Sequence, residues 1–287
     1  MTVFFGLSFV ATKFALRGFE PFLLATLRFT AAGAVLWVVL RLRGERRPRQ
    51  PGELRRIALL GFVSLTVYFA FETTGIARTS AGNAAILIAA IPVFVSVLNA
   101  IARRERNTAP QWVGVALSFA GVVALIELAR SGEGGSTLLG DLLVLAAALS
   151  AAVYQIMARR LLVTRSALYV TTYQNLFGAL FMAPLAAAEA AVLGARAPTA
   201  AASAALVYLT LACSVLAYLL MNFGLRHVEA NRASVFANLV PVVAVAAAYV
   251  VLGERFTAAQ ALAAAVVVAG VWLANRGVRE PRSPSGG

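Results

Sequence analysis

PVFVSVLNAIARRERNTAPQWVGVALSFAGVV, from Pro92 to Val123, aligns without a gap on PVVAVAAAYVVLGERFTAAQALAAAVVVAGVW, from Pro241 to Trp272. Glu105, Arg106, Thr108, Gln111 and Gly121 fall on Glu254, Arg255, Thr257, Gln260 and Gly270, at a constant offset of 149 residues. Nearer the start of each half, LSFVATK resembles LSAAVYQ, which sets Ser8 on Ser150 and Lys13 on Gln155. Two copies of one unit are therefore expected, 1–130 and 138–276, followed by a disordered cytoplasmic tail at 277–287. Self-similarity of this kind fixes the architecture before any single residue does.

The rest of the chain says what the unit is made of. Hydrophobic residues make up 61% of the sequence and charged residues 13%, with a mean hydropathy of +0.83. This is the composition of an integral membrane protein, not of a soluble domain. The apolar runs cover roughly residues 1–17, 20–41, 56–75, 80–102, 109–129, 138–158, 166–190, 201–223, 231–252 and 257–275. Each approaches the ~20 residues that carry a helix across a bilayer core. The expected fold is an all-α polytopic membrane protein of ten transmembrane helices. Five runs per copy is an odd number, so the second copy enters the membrane from the opposite side, giving two inverted repeats around a central cavity. That plan is common in secondary transporters, where substrate sits near the midplane and one set of helices rocks against the other.

The net charge of +13 does not point to nucleic acid, because it is distributed by topology. With the amino terminus cytoplasmic, the inward joints hold eighteen arginines and the outward joints five (Arg17, Arg78, Arg130, Arg196 and Arg255). This positive-inside asymmetry is read with both termini in the cytoplasm. No basic soluble face remains for a nucleic-acid partner. The first run begins abruptly at Met1, which reads as a short or trimmed helix, and it lacks the features of a removable signal peptide. One cysteine, Cys213, excludes an intrachain disulfide, and one histidine, His227, with one aspartate, Asp141, leaves little for a metal site or a catalytic triad. No cofactor or enzymatic activity is expected.

Several stretches resemble a known family: GLSFVATKFAL, LLATLRFTAAGAVL, GNAAILIAAIPVFVSVLNAIARRERNTAPQWVGVALSFAGVVAL and GDLLVLAAALSAAVYQIMARRL. In their order and duplication they are similar to the EamA-type branch of the drug/metabolite transporter superfamily, over essentially the whole chain. The resemblance implies a cavity lined by helices 1–4 and 6–9, with helices 5 and 10 packed to the side. It also implies export of amino acids, aromatic ones among them, and of related metabolites; organic cations and nucleosides are the alternative cargo. The expected partners are such a small molecule and membrane lipid, with the chain as a monomer or a dimer.

Ionisable residues within spans are costly and mark function. Lys13, the only lysine, joins Arg28 and Glu72 in one outer layer, a candidate gate, although Lys13 could instead snorkel to water. Ser64, Tyr68 and Glu72 follow at intervals of four on helix 3, and Ser214, Tyr218 and Asn222 repeat the stripe on helix 8. Such stripes stack on one helical face, so they are expected to line the cavity. Tyr154, Gln155, Tyr173, Gln174 and Asn175 make up a neutral, inner counterpart. Unequal gates of this kind predict a resting state open to the inside. Pro92 and Pro241 are candidate hinges. Gly114, Ser118, Gly121, Ala263 and Gly270 permit close helix packing. Asp141 is expected to complement a helix amino terminus, with proton coupling as its alternative role.

Overall fold

The computed structural model describes residues 1–44, 52–102, 108–130, 136–194, 197–227 and 239–275. The expectations for Glu105, Arg106 and the tail 277–287 lie outside the described residues. Among the described residues the chain is helical, without strands. Seven helices are long and apolar enough to cross a membrane: α2 (Pro21–Leu42), α3 (Glu53–Ile76), α4 (Ala81–Ile101), α5 (Ala109–Leu128), α6 (Leu138–Leu162), α7 (Ala167–Leu193) and α8 (Ala200–Arg226). Three apolar helices are shorter: α1 (Thr2–Ala15), α9 (Leu239–Leu252) and α10 (Ala258–Ala274). The sequence assigns membrane length to all ten, and among the described residues seven have it. In α1 the reason is local, since the chain leaves the helix in a turn at Leu16–Gly18, before the apolar run has ended.

Helix starts are set by side chains that accept the otherwise unpaired first N–H groups. Ser80, Thr137, Ser166 and Thr199 cap α4, α6, α7 and α8, accepting from Asn83, Gly140, Tyr169 and Ala202 at 3.0–3.2 Å. The Thr-x-x-Gln element shared by the two halves has the same role. Gln111 Oε1 accepts the Thr108 N–H at 2.7 Å and Gln260 Oε1 accepts the Thr257 N–H at 2.9 Å. The Thr257 hydroxyl in turn accepts the Gln260 N–H at 3.2 Å. These are capping boxes at the heads of α5 and α10.

Two other caps reach across the molecule. Glu254, beyond the end of α9, accepts the Ala81 and Gly82 N–H groups at 2.8 and 3.0 Å, so a carboxylate closes the head of α4. Glu189 on α7 does the same for α2, accepting from Phe22 and Leu23 at 2.8 and 3.0 Å. Each puts an anion where the helix dipole favours one.

Two interruptions match between the halves, while a third, the π-helical Ala248–Leu252 of α9, has no counterpart among the described residues of α4. Phe62–Val67 of α3 and Leu209–Ala217 of α8 are π-helical, each ending immediately before a tyrosine, Tyr68 or Tyr218. In α4 the first half ends at Ile88 and a turn at Ala89–Ala90 precedes a second half with Pro92 in its opening turn. The discontinuity lies just ahead of the proline, as expected from its missing N–H and its clash with the preceding turn.

α5 packs along α10 and α2 along α7, while α1 meets α8 and α9 as α6 meets α3 and α4. Small residues set the closest approaches. A Cβ on Gly270 would stand 2.4 Å from the Ser118 nitrogen, and one on Gly114 2.3 Å from the Ala274 nitrogen, so the α5/α10 glycines serve packing within the chain. Polarity is arranged for lipid. Arg28, Glu72, Asn83, Asp141, Gln174, Asn175 and Asn222 are buried, while Trp37, Val38, Val123, Leu180 and Tyr249 are exposed. Buried polar residues inside an apolar jacket are what a bilayer solvent requires.

Candidate functional site

A cavity of about 520 Å³ runs between the two halves, within the usual size range for small-molecule sites. One end is formed by Arg28, Ser64, Tyr68 and Glu72, and the wall by Phe5, Phe69, Pro92, Tyr154, Gln155, Tyr218 and Pro241. The other end, towards Met1, Asn99, Arg159, Arg160 and Leu225, is its mouth. A smaller concavity lined by Arg159, Leu162, Val163, Leu225 and Arg226 adjoins that mouth. Arg159, Arg160 and Arg226 are exposed.

Arg28 projects from the first half of α2 and is 4% exposed. Its Nε donates to Ser214 Oγ at 2.5 Å, and its guanidinium lies 4.7 Å from the Phe69 ring centre and 5.4 Å from that of Phe29. Those faces hold the cation in place. Among the described residues, Nη1 and Nη2 have no hydrogen-bond partner. Glu72 is 5% exposed; its Oε1 accepts the Tyr68 hydroxyl at 3.3 Å, and its Oε2 has no donor. Ser64 Oγ is also buried without a partner. The two ions attract one another but form no ion pair among the described residues.

The remaining sequence candidates divide by position. Tyr154, Gln155, Tyr218, Pro92 and Pro241 line the cavity together with Arg28, Ser64, Tyr68 and Glu72. Ser214 stands behind Arg28 as its Nε acceptor. Asn222 stands behind Tyr154, accepting its hydroxyl at 2.7 Å and donating to Thr171 Oγ1 at 2.8 Å. Asn175 donates to the Thr171 carbonyl at 2.8 Å, and Tyr173 packs against Tyr169 with ring centres 4.8 Å apart. These two, with Gln174, lie outside the cavity lining. Lys13 is half-buried away from the lining, within the attraction of Glu254. Asp141 is fully buried; its Oδ1 accepts Thr79 Oγ1 and Asn83 Nδ2, both at 2.6 Å, which clamps α6 to the start of α4.

Sequence reasoning missed Phe5, Phe69, Ile88, Ala89 and Asn99 in the lining. Only Ala89 had a usable signal, since it lies just before a mid-run proline. Sequence reasoning also missed Ser150, whose hydroxyl donates to the Val63 carbonyl at 2.7 Å, inside the π segment of α3. Its alignment with Ser8 marked it as repeated, but gave no partner.

A buried, charged cavity among apolar helices of membrane length marks a multi-pass membrane protein with room for a small molecule. A model of the EamA-like transporter family matches the chain twice, at residues 1–126 and 138–276, and the chain belongs to that family. It is 32% identical to a protein named "Probable terminal-alkyne amino-acid exporter" from Streptantibioticus cattleyicolor, over 94% of this chain and 89% of the relative. It is 30% identical to a "Probable amino-acid metabolite efflux pump" of Salmonella typhimurium, over 99% and 95%. A crystal structure with 23% identity superposes with a TM-score of 0.68, covering 95% of this chain and 93% of that one, and shares the fold. The protein is a transporter of small metabolites.

Proposed function

We propose that this transporter exports amino acids with large apolar or aromatic side chains across a bacterial inner membrane, by alternating access. The observation that carries the proposal is the cavity end, where Arg28 presents two unpaired guanidinium nitrogens below a wall of aromatic rings. A carboxylate suits the planar fork of arginine. Phe5, Tyr68, Tyr154 and Tyr218 offer ring surface, with Phe5 and Tyr218 edge to face at 5.7 Å.

The mechanism rests on ten helices in two inverted repeats, 1–130 and 138–276. Support comes from the double family match, from the paired π segments and from helix contacts that recur when each helix is exchanged for the one five places on. The cavity runs from the buried Arg28 and Glu72, assigned to the outside, to Met1, Asn99 and the exposed Arg159 and Arg160, assigned to the cytoplasm. This supports an inward-open resting state with both termini cytoplasmic. The outer closure consists of Glu254 on the head of α4 and Asp141 on Thr79 and Asn83, with Lys13 as the charge attending Glu254.

Counterflow in proteoliposomes tests the reading, using a panel of amino acids, nucleosides and organic cations with and without a pH gradient. Exchange of phenylalanine, tryptophan or leucine is expected. Exchange confined to nucleosides or cations would replace the substrate assignment.

A further inference from the structure

The cavity end holds two buried ions that leave each other unpaired. Burying a charge without a partner is expensive, and fold stability alone would favour apolar replacements or a closed ion pair. Arg28 has one protein hydrogen bond and two free nitrogens, while Glu72 has one weak donor, Tyr68, and an orphaned Oε2. Among the described residues neither forms an ion pair, although each lies within the other's field, and both line one cavity.

A second set of acceptors lines the same cavity. Pro92 cannot donate to the Ile88 carbonyl, and the Val93 N–H bonds Ala90 at 3.0 Å instead of Ala89. The break in α4 therefore releases the carbonyls of Ile88 and Ala89 from the helical ladder, and both residues line the same cavity. Unwound carbonyls that border a transporter cavity are suited to cations. Ser64 Oγ adds one more buried, unpartnered oxygen.

The geometry points to an ammonium subsite made by Glu72 with the Ile88 and Ala89 carbonyls. With Arg28 taking a carboxylate, the cavity recognises a zwitterion and requires its free α-amine. This deepens the amino-acid reading and rests on it. The residues divide the labour: Arg28 reads the acid group, Glu72 reads the amine, Tyr68 orients Glu72, and the rings receive the side chain. A backbone cradle supplies acceptors without adding charge, so neutral amines gain little from it and an ammonium gains most.

The test is equilibrium binding of three probes to the purified full-length protein: phenylalanine, N-acetylphenylalanine and phenethylamine. Phenylalanine is expected to bind at least about tenfold more tightly than its N-acetyl form, the scale of a lost charged hydrogen bond. Glu72→Gln should abolish that preference by weakening phenylalanine alone, with Arg28→Gln abolishing binding of the N-acetyl form. The wild-type comparison needs no variant, so a poorly folded Glu72→Gln protein leaves the proposal testable. Equal binding of free and acetylated phenylalanine, or a preference that survives Glu72→Gln, overturns the subsite and leaves the exporter reading standing. Binding of phenethylamine alone, lost in Glu72→Gln, keeps the subsite and removes the amino-acid reading. Binding of none of the three overturns both.

Discussion

Arg28 is held by one hydroxyl and two ring faces, which orient it without neutralising it. Removing the charge should therefore affect transport far more than folding. Arg28→Gln is expected to lower amino-acid flux at least about tenfold, the loss of one charge-assisted contact, with the melting temperature in detergent unchanged or raised. Ser214→Ala should reduce flux several-fold less, because the rings still position the guanidinium. Equal losses in the two variants would mean that Ser214 itself meets substrate. Arg28 and Glu72 were legible in the sequence because a charge in an apolar run stands out. Their separation was not, since hydropathy gives a depth along the helix and no distance across it. The same limit applies to Tyr173 and Asn175. Their depth is inferable, but whether they face the cavity depends on helix rotation, which the packing of α7 against α2 and α3 decides.

At the scale of elements, the carboxylate caps couple distant parts of the chain. Glu254 reaches α4 across more than half the sequence, so Glu254→Gln should weaken the proposed outer closure by about 1 kcal/mol, the scale of a lost cap. A membrane-impermeant maleimide on a Thr74→Cys probe, with Cys213→Ala to remove the native thiol, should then react faster than in the Glu254 parent. An unchanged labelling rate would make the cap purely structural. Helix α10 offers a separate prediction. Gly270→Val must displace the α5 backbone, costing about 1–3 kcal/mol, and should lower the melting temperature by several degrees while leaving phenylalanine binding intact. The repeat made much of this level readable: Thr108 and Gln111 recurring as Thr257 and Gln260 carry the capping boxes, and Gly121 and Gly270 carry the close packing. The π segments had no such signal. Nothing in FVSLTV or LTLACSVLA sets them apart from α-helix, and their shape depends on contacts such as Ser150 to Val63, made from a different helix. Pro92 marked the break in α4, although the turn itself falls at Ala89–Ala90, where its missing donor and its ring act.

For the whole molecule, the proposed alternating access has the two halves exchange which end is closed, and the helices bearing Pro92 and Pro241 are where that motion would be taken up. Joint replacement by Pro92→Ala and Pro241→Ala is expected to slow counterflow several-fold while equilibrium binding falls less, because hinge stiffness affects rate before affinity. Undiminished exchange would leave neither proline with a hinge role. The mouth has a consequence of its own. Arg159, Arg160 and Arg226 stand exposed around the entrance, next to low-dielectric walls that focus their field. Solutes bearing net negative charge should therefore arrive faster than zwitterions, and cations more slowly. Raising ionic strength from about 0.01 M to 0.15 M shrinks the Debye length from ~30 Å to ~8 Å and should remove most of that difference in loading rate. The entrance would then discriminate kinetically by net charge, while the far end of the cavity discriminates by functional group.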